Sequence, residues 1–194
     1  MFTRKIGATG RSFWFEGNKR VEFQLTEEQT LIRDSAISMV ARDIQPILDA
    51  HPADQSLPRA AMRQLYETTA RQGLAAPRIP ASEGGGGMKM LDYGLIYEQL
   101  PAWFAVSVMA HEVTASRIYA EANPEQRERF MPDLFSGRKI AGTATSEPGA
   151  GSDPRGLTTR MDVDGDTAIV NGRKLWISNG SVADIIAVTC IDGV

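Results

Sequence analysis

Up to Gly137 the apolar residues of this chain recur at helical spacing, and beyond it they alternate. That change of period constrains the fold more than any other feature, because a helical stripe and a pleated strand cannot be built from the same pattern. In the first stretch Thr26 and Gln29 form a capping box, and Ile32, Ala36, Met39, Val40, Ile44 and Ile47 follow on one helical face. Pro58 opens a second helix with Met62 and Leu65 facing inward and Gly73 closing it. After the loop APRIPASEGGGG, in which Gly84–Gly87 reads as flexible by composition, comes LDYGLIYEQL, broken by Pro101. The run AWFAVSVMAHEVTASRIYAEA is apolar almost all round at first, as a buried helix would be. Asn123-Pro124 starts a last helix, which Pro132 is expected to kink or end.

The second stretch holds five short segments rich in Thr, Val and Ile: KIAGTATS, LTTRMDVD, TAIVN, KLWIS and ADIIAVTCI. Asp164-Gly165, Asn171-Gly172 and Asn179-Gly180 punctuate them as hairpin turns. Helices segregated from consecutive strands predict an α+β chain: an all-α domain over 23–137, then a truncated antiparallel β-barrel or sandwich domain over 138–194. Strands that stop at Val194 leave an open sheet edge, so more chain or a partner is expected to cover it.

Composition narrows the function classes. Among 194 residues, 21 Lys and Arg against 24 Asp and Glu leave a net charge of −3, which argues against a nucleic-acid partner. No apolar run is long enough to span a membrane. A single cysteine, Cys190, excludes a disulfide framework and a cysteine-based metal site, and the expected compartment is the cytoplasm. Residues 1–22 are basic, with Arg4, Lys5, Arg11, Lys19 and Arg20 facing only Glu16, and they lack the apolar core of a secretory signal. They are expected to form a poorly ordered lead-in, with a transit peptide left open.

The stretch TATSEPGAGSDPRG, 143–156, suits neither helix nor strand. Gly149 and Gly151 mimic a dinucleotide fingerprint, but Pro154 stands where the third glycine belongs and strands follow instead of a helix. Walker A, HExxH, CxxC and GxSxG patterns are absent, and His51 and His111 have no metal-ligand spacing. His51 is expected in a solvated loop and His111 as a packed or hydrogen-bonded core residue. Two readings of the stretch stay open: an ordinary loop, or a nest in which the glycines adopt unusual φ values and the Ser152 hydroxyl helps to hold an anion. In KLWISNG, a strand would put Trp176 and Ser178 on one face and Leu175 and Ile177 on the other. An indole beside a hydroxyl suits a planar heteroaromatic ligand, and equally suits packing against the helical half.

SEPGAGSD, a D-G turn and NGRKLWISNG, in that order and spacing, resemble the middle-domain signature of the acyl-CoA dehydrogenase family. Pro77-Arg-Ile-Pro80 before GGGG and PEQRERFMPDLFSGRKIAG resemble its helical half, so the resemblance covers about 23–194. It implies FAD as cofactor and an acyl-CoA thioester as substrate, oxidised to the trans-2-enoyl form, with electrons passed to an electron-transfer flavoprotein or similar acceptor. The cofactor positions it implies are Thr143, Thr145, Ser146, Gly151, Ser152, Trp176, Ile177 and Ser178. Ser146 would bond the pyrimidine end of the ring, Ser152 would lie near the diphosphate and the substrate, and Trp176 would lie against the isoalloxazine. Ser178 would offer its hydroxyl to N5. Glu147 and Asp153 are expected to be loop residues and not bases. In the family a C-terminal helical bundle supplies the catalytic glutamate and the oligomer interface. None of it is found in 194 residues, so no catalytic base is named, the complete protein is expected to be a homo-oligomer, and activity of this chain alone is not expected. The alternatives are an oxidase or monooxygenase of the same fold, or a non-catalytic module. The mitochondrial matrix is left open beside the cytoplasm.

Overall fold

The computed structural model describes residues 13–14, 20–21 and 24–192. The expectation for a lead-in over 1–22 falls outside them, apart from strands β1 (Phe13–Trp14) and β2 (Arg20–Val21), which pair antiparallel.

The helical half follows its caps. Helix α1 (Glu27–Met39) starts at Thr26, whose hydroxyl accepts the Gln29 N–H while the Gln29 side chain accepts the Thr26 N–H. It passes through a π-helical turn at Val40–Ile44 into α2 (Gln45–Asp49). The wide turn sits just before Pro46, which has no N–H to give and whose ring crowds the carbonyl four residues back. Helix α3 (Arg59–Ala70) follows Pro58, and the turn after it closes at Gly73, with φ at +74° and its N–H on Ala70 O. Helices α4 (Met90–Tyr97) and α5 (Ala102–Glu121) are separated at Pro101. Helix α6 (Pro124–Phe135) has its own capping box, Asn123 with Gln126, and runs through Pro132 without ending there.

The four glycines before α4 are not a loose loop. The Gly86 N–H reaches Ala76 O, the Gly87 N–H reaches Ile79 O and the Met88 N–H reaches Pro77 O. A Cβ on Gly84 would lie 2.9 Å from the Phe135 ring, and one on Gly86 would lie 2.7 Å from Gly73 O. Close packing, not mobility, is what requires glycine here.

Helix α5 is buried on one face only. Phe104, Val108, His111 and Ala115 are sunk in the core, while Trp103, Val106 and Met109 are exposed. The all-round apolar sequence therefore does not mark an all-round burial. The core of Met39, Ile44, Leu65, Tyr66, Phe104 and Val108 extends to Ile140, and a second cluster of Ile79, Met131 and Leu134 extends to Ala141. Both clusters thus reach the first residues of the second half.

That half departs from the antiparallel pairing expected of a barrel or sandwich. Strand β3 (Ala141–Ala144) pairs in parallel with β6 (Ile185–Val188), in the register Ala141 to Ile185. Strand β4 (Arg160–Asp164) pairs antiparallel with β5 (Thr167–Asn171) across the Gly165 turn, φ +55°, and in parallel with β7 (Ile191–Asp192). Only the local hairpin is antiparallel, because the other pairings follow long returns of the chain, not tight turns. No closed barrel forms among the described residues.

KLWIS is not a strand. Residues 172–175 have no regular structure and Ser178–Val182 are a turn. Trp176 has φ +58° and Asn179 φ +67°. Burial still alternates, with Leu175 and Ile177 half-buried and Trp176 and Ser178 exposed. No helix among the described residues is long and apolar enough to cross a membrane.

Candidate functional site

The chain leaves β3 directly into the glycine-rich stretch. The Glu147 N–H donates to Ala150 O (2.8 Å) and the Ala150 N–H returns to Glu147 O (3.2 Å), closing a tight turn around Pro148-Gly149. Proline presets the φ that the first corner of such a turn needs. Neither Gly149 nor Gly151 adopts a positive φ, so of the two readings left open the nest built on unusual glycine φ values does not form. What the two glycines leave is room: a Cβ at either would meet nothing within 4 Å. Among the described residues, no acceptor is paired with the N–H of Gly151 or Ser152. Free amide donors, an exposed hydroxyl and open space suit an anionic group such as a diphosphate.

The turn is held from behind by Glu147. Its carboxylate is 2% exposed. Oε2 accepts the Thr158 N–H (2.8 Å) and hydroxyl (2.6 Å), while Oε1 accepts the Thr159 N–H (2.9 Å) and the Lys174 ammonium (2.8 Å). Lys174 first, then Thr158 and Thr159, hold this carboxyl far below the usual carboxylate range. A carboxylate so saturated cannot accept a substrate proton near neutral pH. Asp153 is turned to the surface, where its pairing with Arg155 lowers its pKa. Both acids are thus loop residues, as expected.

The second segment lies along the first. The Leu175 N–H donates to Ser146 O (2.9 Å), and the Lys174 ammonium donates to Thr145 O (2.9 Å). Further on, a Cβ at Gly142 would lie 2.7 Å from Ser178 O, so glycine in β3 lets the two backbones touch. Asn179 then ties the segment to the helices. Its Nδ2 shares two donors among Ala141 O (2.8 Å), Ser107 O (2.9 Å) and the Tyr66 hydroxyl (2.9 Å), and its Oδ1 accepts the Ser107 hydroxyl. Asparagine is among the residues that tolerate the left-handed conformation found here. Asp184 makes the next tie, accepting the Ile140 N–H and both Arg59 and Arg63. Burial opposes its charge, but these donors outweigh it and its pKa is lowered.

The eight expected cofactor positions divide by where their groups point. Thr143 and Thr145 spend their hydroxyls on Thr114 (2.7 Å) and Thr189 (3.0 Å). Ile177 is half-buried under the turn and accepts the Gly180 N–H. Ser146 is half-buried, and Gly151, Ser152 and Ser178 are exposed. Trp176 is 90% exposed, an outlying value for an indole and a candidate stacking surface. The seam brings Thr143–Ser146 against Leu175–Asn179, whereas Gly151 and Ser152 lie beyond the turn. A groove of about 850 Å³ opens elsewhere, between Leu48, His51, Leu57, Trp103, Ser107 and Val182, and includes none of the eight.

Sequence reasoning missed Lys174 and saw Asn179 only as a turn residue. The available signal for Lys174 was an acid, Glu147, flanked in its loop by small residues and Pro148. His111 is a satisfied core residue: its Nδ1 accepts the Ala141 N–H (3.1 Å), which leaves Nε2–H to donate to Leu134 O (3.2 Å). Burial lowers its pKa to about 4, so it is neutral. His51 is half-buried, with Nδ1 on Ile47 O.

The model of the acyl-CoA dehydrogenase N-terminal domain matches residues 26–138, and that of the acyl-CoA dehydrogenase middle domain matches residues 142–193. An isobutyryl-CoA dehydrogenase of Dictyostelium discoideum, described as mitochondrial, is 33% identical over 168 residues, covering 84% of this chain and 39% of that protein. A glutaryl-CoA dehydrogenase from Mycobacterium smegmatis superposes with a TM-score of 0.77 at 33% identity, covering 87% of this chain and 44% of that one. A glutaryl-CoA dehydrogenase structure from the same organism in complex with FADH2 gives a TM-score of 0.77 at 26% identity, with 87% and 44% covered. The chain spans about two fifths of the length of the curated relatives it matches.

Proposed function

Because the chain belongs to the acyl-CoA dehydrogenase family, we propose that it forms part of an FAD-dependent enzyme that desaturates an acyl-CoA thioester between Cα and Cβ. The observation that carries this reading is the pairing of an exposed Trp176 and Ser178 with a loop whose Gly151 and Ser152 amides are unengaged. When bound, the flavin would accept the β-hydride of the substrate. The chain's own part is to hold and orient. Gly151 and Ser152 would bind the diphosphate through amide and hydroxyl donors, with the small turn at 148–151 admitting it closely. Trp176 would cover one region of the ring and exclude water there, with Ser178 beside it as a hydroxyl donor. Ser146 would bond the pyrimidine end. Thr143, Thr145 and Ile177 would act through the backbone and packing of the seam, since the two threonine hydroxyls are engaged elsewhere.

The base that removes the α-proton is not assigned to Glu147 or Asp153, for both carry partners that favour the charged form. An electron-transfer flavoprotein or similar acceptor would reoxidise the cofactor, and a homo-oligomer is the proposed assembly. The helical unit over 23–137 would serve as the platform for the β unit.

FAD titration of the purified protein, followed by flavin fluorescence, tests the reading. Saturable binding that Trp176→Ala weakens is expected. Absence of binding, or binding indifferent to Trp176 and Ser178 together, would overturn it.

A further inference from the structure

Lys174 and Glu147 form the most enclosed ion pair among the described residues, at 10% and 2% side-chain exposure. A buried ion pair is a poor device if stability alone is at stake, since desolvation of two charges offsets much of their attraction. Geometry is what such a pair supplies best. Here it joins three separate stretches: Thr145–Glu147, the lead into β4 at Thr158–Thr159, and the segment that begins at Lys174. The Leu175 N–H on Ser146 O runs alongside.

The next residue, Trp176, is held at φ +58°. A bulky residue in that region is a genuine outlier, and it persists only where its neighbours over-determine it. Those neighbours are Lys174 and Leu175 on one side and Asn179 on the other, each bonded to β3 or the loop after it. Every group expected to meet the flavin therefore hangs from one side or other of this clasp: Ser146, Gly151 and Ser152 from the loop, Trp176 and Ser178 from the second segment.

We propose that Lys174, acting through Glu147 and Thr145 O, is a positioning residue that sets the register between the anion-binding loop and the Trp176–Ser178 wall. The proposal rests on the flavin reading given above and adds to it how the two halves of that site are aligned. The Lys174 ammonium is spent on Thr145 O and Glu147. Its effect is transmitted through the loop it anchors.

The experiment uses the purified protein, with Lys174→Met, Lys174→Arg and Glu147→Gln, and two measurements. Amide hydrogen exchange without added flavin reads the clasp, and FAD affinity by flavin fluorescence reads its consequence. In Lys174→Met, exchange in 145–152 and 174–178 should rise together, while the β4–β5 hairpin at 160–171 stays as in the wild type. FAD affinity should fall by about tenfold or more, as the loop and the wall lose their common register. Lys174→Arg, which keeps the charge and two donors, should recover most of that affinity. If Lys174→Met does not fold, Glu147→Gln gives the same two readouts, because it keeps the side chain's size while removing the charge and turning one acceptor oxygen into a donor that faces other donors. Unchanged exchange in both segments overturns the clasp. Faster exchange with unchanged FAD affinity overturns the positioning role. A wild type that binds no FAD overturns the cofactor reading and with it any role toward flavin, while exchange still decides whether the clasp exists.

Discussion

The seam joining 141–147 to 174–184 and the hairpin β4–β5 are adjacent in the chain and opposite in construction. In the seam, a half-buried asparagine and an aspartate with three donors tie strand and turn to helices α3 and α5, and an enclosed ion pair ties the loop after β3 to the segment beside it. In the hairpin, Val163, Ile169 and Val170 are exposed and every residue of β5 faces solvent. The seam holds its geometry through specific polar contacts to a packed platform. The hairpin holds through its own ladder, and its apolar side chains contribute little because no described residue covers them. The proposed cofactor groups all belong to the seam and the loop it anchors. Rigidity has been concentrated where placement matters.

The harshest test of that contrast is Asn179→Ala. It strips the Tyr66 and Ser107 hydroxyls and the Ala141 carbonyl of a shared partner, and puts alanine at a positive φ. Tyr66 and Ser107 keep their bonds to each other, but losing all the Asn179 contacts and straining the backbone at this φ should together cost about 4 kcal/mol, beyond the range of ordinary substitutions. Urea denaturation followed by far-ultraviolet circular dichroism measures it. A loss no greater than that of a hairpin mutant would break the comparison.

Next is the pH dependence of the platform. His111 is neutral in the fold, its pKa lowered from 6.5 to about 4, first by burial. The unfolded chain therefore binds this proton at higher pH than the folded one, so stability is complete above about pH 6.5 and falls as pH drops toward 4. A shift of this size corresponds to about 3 kcal/mol. His111→Gln should flatten the dependence between pH 6.5 and 4.5, measured by the urea midpoint. An unchanged slope would mean that His111 meets water in solution.

Gly142→Ala should follow, at about 2 kcal/mol, because the new methyl meets Ser178 O at 2.7 Å and one backbone must yield. The sharper readout is local: exchange of the 176–180 amides should quicken while the hairpin is unaffected.

How much of this was legible depends on the range of the interactions. The helix starts at Thr26 and Asn123 could be read because a cap and its partner sit three residues apart. His111 as a satisfied core group followed from its place on an apolar run. The parallel pairing of β3 with β6 could not be read, since no local turn specifies a return after forty residues. Trp176 misled because 174–178 alternates as a strand does, while its backbone is set by distant groups: Ser146 O, Glu147 and Ala141 O. Gly84–Gly87 looked loose because composition does not show that Ile79, Phe135 and Gly73 crowd them. The open face of α5 was hidden for the same reason, as an apolar residue looks alike whether covered or bare. The residue types of the proposed site were thus visible, and the contacts that join its two segments were not.

The smallest effect belongs to the hairpin, and it is the most exposed to refutation. Val163, 66% exposed, and Ile169, 54% exposed, stand on strands whose other residues are also largely solvated. Replacing an exposed β-branched residue by threonine keeps the strand preference and removes only apolar surface that water already reaches. Val163→Thr and Ile169→Thr should therefore change stability by less than about 0.5 kcal/mol each, and leave FAD affinity within experimental error. The double substitution should be additive within the same margin unless the two side chains touch. Urea midpoints of the single and double variants at several protein concentrations provide the check. A loss above about 1 kcal/mol would show that this face is covered in solution. The contrast between a docked seam and a bare hairpin would then describe only one state of the molecule.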